Sequence, residues 1–549
     1  MILKKKRTTS STTAEHVSFG LGWWNIYFIA KLGLFSQDII DFHPLENIAL
    51  AIFILIPIAK PFVRRTRGVI AVILGLWLAH YDSYLPPLQR LFAQIGQLLD
   101  FKLDYLLELM GRFVSPQAFI ALFVLIAAYV FLDKIFRVSV FVMLAMLYVA
   151  IPQSAPTPAP TQVVQASPQA NPGNVADNAS TPAAPVEVND TVLNQHLADF
   201  FATQKDKIAP FPDAAPTAPF DVLFLSICSI AWDDLEVTGL ADHPLFKRFD
   251  VMFDNFSAAT SYSGPAVVRL LRAGCGQESH SDLFKPAHSE QCYLFDNLAK
   301  LGFDQNFIMN HNGQFDNFIG LLEDDGHLKA KLMPHDGLKP YQTVFDGSQI
   351  YRDSDVLNKW LADREQNPAK QVVTLFNTIS LHDGNRIIGA SDQTGLTGYK
   401  MRVKNLLDDM NTFFDALEAS KRNIVVVLVP EHGAGMRGDK MQIPGMRELP
   451  AKTIVHTPVA LKIFGGDVKS TGEQVKVTQD SSYLALSTLI GRILDQDIYA
   501  KKTFDPKALT QNLPKTEMVA QNSGSTVMEF QGKSYISLDG QTWNEYPSQ

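Results

Sequence analysis

The chain has little cysteine: three residues among 549, Cys228, Cys275 and Cys292. So few exclude a disulfide-built scaffold, and because the number is odd at least one thiol stays unpaired within the chain. There is no excess of basic charge either. Lys and Arg number 48 against 56 Asp and Glu, a net charge of −8, which excludes the basic face of a nucleic-acid binder. Charged residues make up 19 % of the chain and are scarcest before about residue 155. Residues 152–190 lack aromatic side chains altogether and hold eight prolines. Such a stretch cannot bury enough apolar surface to offset its ordering entropy, so it reads as a semi-extended tether. The chain divides into residues 1–155, a linker over 156–195, and a soluble part over 196–549.

Long apolar runs are confined to the first part. Five segments near 18–35, 46–63, 68–84, 117–133 and 138–154 have about the ~17–25 residues that a membrane-spanning helix needs. Lys4, Lys5, Lys6 and Arg7 precede the first. Lys60, Arg64, Arg65 and Arg67 lie between the second and third, and Lys134 and Arg137 between the last two. If all five segments span, these clusters share one side, which the positive-inside rule makes cytoplasmic. An odd number of spans then exports everything after residue 155. The first segment has no small-residue cleavage site, so it is not a cleaved signal peptide. Leu88, Leu91, Phe92, Ile95, Leu98 and Leu99 recur at helical spacing and predict an amphipathic helix within 88–111, lying on the outer surface or packed on the spans. Lys31, near the outer end of the first span, reads as snorkelling.

From about residue 218 the pattern changes. Short apolar runs at 222–225, 306–309, 372–376, 424–429 and 459–464 read as buried strands. Helical stretches near 234–241, 265–273, 294–301, 354–363, 398–419 and 482–494 lie between or beside them. This alternation predicts an α/β domain with a doubly wound, largely parallel sheet. Residues 526–546 read as a hairpin around Asp539-Gly540.

Ligands of such sheets bind at the carboxyl ends of the strands. The first strand leads to Cys228, the third to His382-Asp383-Gly384-Asn385, and the fourth to Glu431-His432. A thiol, a carboxylate and two imidazoles thus converge on one edge, and thiolate, carboxylate and imidazole form a zinc ligand set. Each residue alone reads equally as core. Ser263 in Thr260-Ser261-Tyr262-Ser263-Gly264-Pro265 stands at a helix start, where it is an ordinary N-cap or, beside a metal, a nucleophile. Cys275 and Cys292 flank a 16-residue loop. In an exported domain they could pair and leave Cys228 for a metal; three reduced, buried cysteines are the alternative.

Phe224-Leu225-Ser226-Ile227-Cys228-Ser229, Ala259 to Pro265, Leu381-His382-Asp383-Gly384-Asn385 and Val429-Pro430-Glu431-His432-Gly433 together resemble the bacterial cellulose phosphoethanolamine transferases of the alkaline phosphatase–sulfatase superfamily. The resemblance runs over nearly the whole chain. It implies a five-helix membrane region in the inner membrane and a periplasmic alkaline-phosphatase-like domain. The implied reaction moves phosphoethanolamine from phosphatidylethanolamine to the 6-hydroxyl of glucose units in cellulose, beside the cellulose synthase complex. Zinc is implied at Cys228, Glu431 and His432, with Ser263 beside it as nucleophile. His382 is implied in phosphoryl binding or proton transfer, and Tyr262 and Arg447 in substrate contact. The rivals are the same chemistry on lipid A or another envelope glycan, a phosphoglycerol transferase, which fits the Cys-Ser-Glu-His set less well, and a membrane scaffold of the cellulose synthase complex without catalysis. Lipid A relatives usually carry Thr as nucleophile and Glu where Cys228 stands. A scaffold would have lost ligands that this chain keeps. The sulfatase signature is absent at Cys228-Ser229-Ile230-Ala231-Trp232.

Overall fold

The structure, a computed structural model, describes residues 20–37, 40–58, 60–83, 102–113, 116–151, 187–367, 371–391 and 393–547. The chain forms two compact units, residues 1–92 with 114–182 and residues 93–113 with 183–549. Among the described residues before 151 the helices are α1 (Trp24–Phe35), α2 (Pro44–Leu55), α3 (Pro61–Tyr81), α4 (Leu103–Phe113), α5 (Pro116–Leu132) and α6 (Val138–Ala150). All but α4 belong to the first unit.

Those five helices fall on the five apolar segments. Among the described residues no helix is long and apolar enough to cross a membrane. The helices turn large apolar side chains outward, among them Ile52, Val69, Ile73, Leu76, Phe123 and Phe141, and bury Asn25, Lys31, Asn47 and Asp82. The snorkelling expected of Lys31 is not found. Its side chain is 6 % exposed and pairs with Asp82, and it donates to Asn47 Oδ1 at 2.8 Å. Asp82 also accepts from Asn47 Nδ2 at 2.8 Å. A buried carboxylate requires a cation close by, and Lys31 is that cation. Leu88 to Leu99 lie outside the described residues. Helix α4 covers the end of the amphipathic stretch and belongs to the second unit.

The second unit begins, apart from α4, with α7 (Asp190–Lys205), which starts inside the expected linker. Asn189 caps it by accepting from the Val192 amide at 3.1 Å, the role in which Asn is strongly preferred. The central sheet consists of β1 (Asp221–Ile227), β2 (Val251–Phe253), β3 (Asp304–Met309), β4 (Val372–Thr378), β5 (Ile424–Leu428), β6 (Val459–Phe464) and β7 (Val475–Val477) in the order β7-β2-β6-β5-β1-β4-β3. All run parallel except β6, which is antiparallel to both β5 and β2. Side chains alternate between faces, and both faces are covered. Val222, Phe224, Val425 and Val427 pack toward α8 (Ser263–Leu271) and α11 (Tyr483–Asp495). Leu223, Leu225, Val426 and Leu428 pack toward α9 (Asp353–Gln366) and α10 (Gly395–Ser420). Each such buried side chain contributes roughly 1.5–3 kcal/mol. Asp221 opens β1 between Arg364 and Arg422, at 3.0 and 2.9 Å, and takes the Val372 amide at 3.0 Å. It therefore ties the amino ends of β1 and β4 together.

The C-terminal stretch is a four-stranded antiparallel sheet, Val519–Asn522, Ser525–Phe530, Lys533–Ser537 and Asn544–Glu545, rather than one hairpin. Two tight turns join its first three strands, at Ser523-Gly524 and at Gln531-Gly532, and both residues of the second have positive φ, as a type I′ hairpin loop demands. Asp539-Gly540 opens a longer connection instead, with Asp539 accepting from the Gln541 and Thr542 amides at 2.8 and 2.7 Å.

Candidate functional site

Three loops leave the carboxyl edge of the sheet at β1, β4 and β5. β1 runs directly into Cys228, which is fully buried and unpaired. Its amide donates to the Thr378 carbonyl at the end of β4, at 3.0 Å. Glu431 and His432 follow β5, held by the Glu431 amide donating to the Ile227 carbonyl at 2.9 Å. The ligating atoms of Cys228, Glu431 and His432 all lie within 4.8 Å of one another. Cys275 and Cys292 form a disulfide with Cα atoms 4.6 Å apart, so the odd cysteine is the one at the strand end.

Ser263 completes the group. The N-cap of α8 is Tyr262 and makes no side-chain cap, so Ser263 is the first helical residue and not a cap. Its Oγ lies 3.3 Å from Cys228 Sγ and 3.2 Å from His432 Nε2. His432 Nδ1 is 2.8 Å from the Gly433 carbonyl oxygen. A carbonyl only accepts, so Nδ1 carries the proton and Nε2 faces Ser263 with its lone pair.

The electrostatics of the cluster are unfavourable as it stands. Burial, then the Glu431 charge, push the Cys228 thiol up to about 11. Burial raises Glu431 and pushes His432 well below its ordinary value. Ser226 Oγ donates to Glu431 Oε1 at 3.0 Å and Asn377 Nδ2 donates to the same oxygen. The other oxygen, Oε2, is buried with no hydrogen-bond partner. An orphaned buried carboxylate oxygen is costly. Beside a thiol and an imidazole lone pair, it fits a zinc ligand set.

His382 lies on the loop after β4. It accepts at Nε2 from Arg447 Nη2, at 3.1 Å, and its Nδ1 is 2.9 Å from the Asp383 carbonyl. Burial and the Arg447 charge push it down to about 4, so it is neutral near pH 7. Arg447 also donates to Ser229 Oγ at 3.2 Å, next to Cys228. Tyr262, predicted to contact substrate, donates to Glu448 Oε2 at 2.7 Å.

Several site residues escape sequence reasoning. Ser226 and Asn377 are direct partners in the register of β1 and β4, two polar residues interrupting apolar strands at one level. That coincidence was the available signal. His311 Nε2 faces Asn377 Oδ1 at 3.0 Å and extends the chain from Glu431. Asn522, from the C-terminal sheet, accepts from the Ser261 amide at 3.2 Å and donates to Ser261 Oγ at 2.7 Å and to the Glu448 carbonyl at 2.9 Å. It clamps the Ser263 and Arg447 loops together, and no local motif marks it. Asp234 accepts from the Ala231, Ala434 and Met436 amides at 3.0, 2.7 and 3.1 Å, joining the turns after Cys228 and His432.

Asp353 braces the His382 loop from beneath. It accepts from Thr378 and Ser380 hydroxyls at 2.5 Å each and from Asn310 Nδ2 at 3.2 Å. Burial raises it to about 7. The folded protein therefore holds a proton that the unfolded chain releases near pH 4. The Asp353 contribution to stability is full below that pH and falls as pH rises toward about 7, with a slope of at most ~1.4 kcal/mol per pH unit. The melting temperature of Asp353→Asn relative to the parent should rise between pH 5 and pH 7.5. A difference independent of pH would reject this.

The profile of the cellulose biosynthesis protein BcsG N-terminal domain matches residues 24–151, and that of the BcsG C-terminal domain matches residues 177–543. The chain belongs to the BcsG family. Cellulose biosynthesis protein BcsG of Escherichia coli K12 is 39 % identical over 546 residues, 96 % of each chain. The BcsG of Salmonella typhimurium is 40 % identical with the same coverage. A solved structure of a protein in the alkaline phosphatase superfamily from Vibrio parahaemolyticus is similar at 16 % identity and TM-score 0.46, over 65 % of this chain and 91 % of that one. The BcsG C-terminal profile spans every site residue described, from Ser226 to Asn522.

Proposed function

We propose that the chain is a zinc-dependent phosphoethanolamine transferase of the bacterial inner membrane. Its donor is phosphatidylethanolamine and its acceptor the 6-hydroxyl of glucose units in cellulose. The observation that carries the reading is the aim of Ser263: its hydroxyl points into the Cys228–Glu431–His432 donor set instead of capping its helix. Zinc bound there by Cys228, Glu431 and His432 would supply positive charge that favours the Ser263 alkoxide and the developing phosphoryl charge. Ser263 Oγ forms a bond to phosphorus, and the bond from phosphorus to the diacylglycerol oxygen breaks. Diacylglycerol leaves as an alcohol with the proton that Ser263 gave up. The oxygen of the cellulose hydroxyl then forms a bond to phosphorus, the bond from phosphorus to Ser263 Oγ breaks, and the proton lost by the cellulose hydroxyl returns to Ser263. Arg447, with its fixed donors, binds the phosphoryl oxygens, and neutral His382, its Nδ1 proton on the Asp383 carbonyl, accepts from Arg447 at Nε2 and so orients the guanidinium.

The BcsG name of the relatives supports the cellulose pathway. The outward apolar side chains of α1–α3, α5 and α6 and the basic clusters between the segments support a five-span anchor. The catalytic domain then lies in the periplasm, near the cellulose synthase complex. The Cys275–Cys292 disulfide agrees with an oxidising compartment.

The test is a trapped intermediate. The full chain in phosphatidylethanolamine liposomes is digested and mapped by mass spectrometry, before and after addition of cello-oligosaccharide. The expected result is phosphoethanolamine on Ser263 that passes to the sugar, with a phosphodiester at the 6-position by phosphorus NMR. An adduct on another residue, or none, rejects the reading.

A further inference from the structure

The second unit contains one helix from the early part of the chain. Among the described residues, α4 is its only element from before residue 187, and it docks on the rim that carries His382. Tyr105 donates to Asp383 Oδ2 at 2.8 Å. Glu108 forms an ion pair with Arg386, their side chains 16 % and 31 % exposed. The Lys102 amide at its start donates to the Phe345 carbonyl at 3.1 Å. The Tyr105 ring stacks on Phe345 at 5.8 Å, and the Phe345 ring lies 5.4 Å from the His382 imidazole. His382 is thus gripped by two routes. One runs through the backbone of its neighbour Asp383, the other through the ring against its own.

The approach is fitted on the loop side. A Cβ at Gly384 would come within 2.8 Å of the Tyr105 ring, and one at Gly347 within 2.6 Å of the Lys102 stem. Both glycines have positive φ, 79° and 92°, a conformation that glycine adopts at little cost. At Gly384 a side chain would meet the Tyr105 ring and Phe345, so the glycine lets the helix lie close to the loop there, whereas the Lys102 side chain over Gly347 is flexible and could move aside. Its ion pair is partly desolvated, so it is stronger than the exposed pairs that contribute almost nothing. The loop has its own braces, Asp353 beneath Ser380 and Asn385 Nδ2 on the Ile379 carbonyl at 2.6 Å. Arg402 adds a bond to the Asn385 carbonyl at 3.1 Å, and α4 adds the contacts to Asp383 and, through Phe345, to the His382 ring itself.

We propose that Tyr105 and Glu108 of α4 are positioning residues for the transfer reaction, holding the His382–Arg386 loop so that the imidazole keeps its place against Arg447. This rests on the reading of Ser263 and His382 given above. A catalytic domain cut after the tether would lack the helix and carry a looser loop. A helix that only adds stability would change melting and leave turnover alone. A positioning helix changes turnover without changing affinity, because a misplaced group costs most in the transition state.

The experiment uses the full chain in phosphatidylethanolamine nanodiscs. The soluble donor p-nitrophenyl phosphoethanolamine removes any effect of lipid presentation. Tyr105→Phe, Glu108→Gln and the double variant are compared with the parent, with Ser263→Ala, and with Leu103→Ser as a control at a position 70 % exposed. The double variant should lose roughly tenfold in kcat with KM within about twofold and zinc content unchanged. Glu108→Asp should recover part of the loss. Deuterium uptake of the segment 380–386 should quicken in step. A kcat equal to the parent's, or a loss without faster uptake in that segment, overturns the proposal. If the parent shows no Ser263-dependent turnover, the transferase reading fails separately, and uptake alone then decides whether α4 holds the loop.

Discussion

Ser263→Ala should abolish turnover, by roughly 10³–10⁶-fold, while the protein keeps its zinc and its melting temperature. The size of the effect follows from the proposed chemistry. Without Oγ the bond to phosphorus that opens the proposed two-step transfer does not form. Stability should be untouched because the side chain caps nothing: the N-cap of α8 is Tyr262, and the Ser263 contacts run to Cys228 and His432. An ordinary cap would instead cost about 1 kcal/mol on removal and leave chemistry intact. Zinc analysis, calorimetry and p-nitrophenol release on one preparation separate the two outcomes.

Cys228→Ala should empty the metal site. Loss of a supporting residue outside the ligand shell already costs roughly 10–100-fold in metal affinity, so loss of a ligand should cost more. Turnover should fall with occupancy. The thiol at this position is pushed up to about 11 by burial and by Glu431. A bound cation is what ionises it, and metal uptake at neutral pH should release a proton. Isothermal titration of the metal-stripped parent in buffers of different ionisation enthalpy reads that proton, and Cys228→Ala should release fewer. Retention of stoichiometric zinc by Cys228→Ala would remove this cysteine from the ligand set. Ser263→Ala and Cys228→Ala together then distinguish a lost nucleophile from a lost ion.

The strand-end residues were legible because each apolar run stops abruptly at chemistry. Cys228, His382 and Glu431-His432 all stand just past a buried strand, and the sheet rule does the rest. The sign of β6 was not legible, since a strand buried on both faces has the same apolar pattern in either direction. β2 and β7 have three residues each, too few to show a period. Lys31 was misread because a lysine near the end of an apolar run looks the same whether it reaches for water or for Asp82. Asn377 and Ser226 required register, which no single segment encodes. Asn522 reaches the loop of Ser261 and Ser263 from a sheet that begins more than 250 residues later, and the separation of the Ser261–Asn522 pair, 261 positions, leaves no local trace. The cysteine pairing was open on sequence grounds. The structure closes it by bringing Cys275 and Cys292 together and leaving Cys228 at the strand end.

The order of the chain also sets the order in which this site can be assembled. Tyr105 and Asp383 are 278 residues apart, as are Glu108 and Arg386. At roughly 5–20 residues per second, α4 emerges from the ribosome about 14–56 s before the loop it grips. Throughout that interval Tyr105 and Glu108 lack the Asp383 and Arg386 side chains that they meet in the folded domain. The docking of α4 on that loop can therefore occur only after the chain through Arg386 has been made. A chain truncated anywhere before Arg386 would leave α4 stranded, and a fast-translated one would shorten the wait without altering a single native contact.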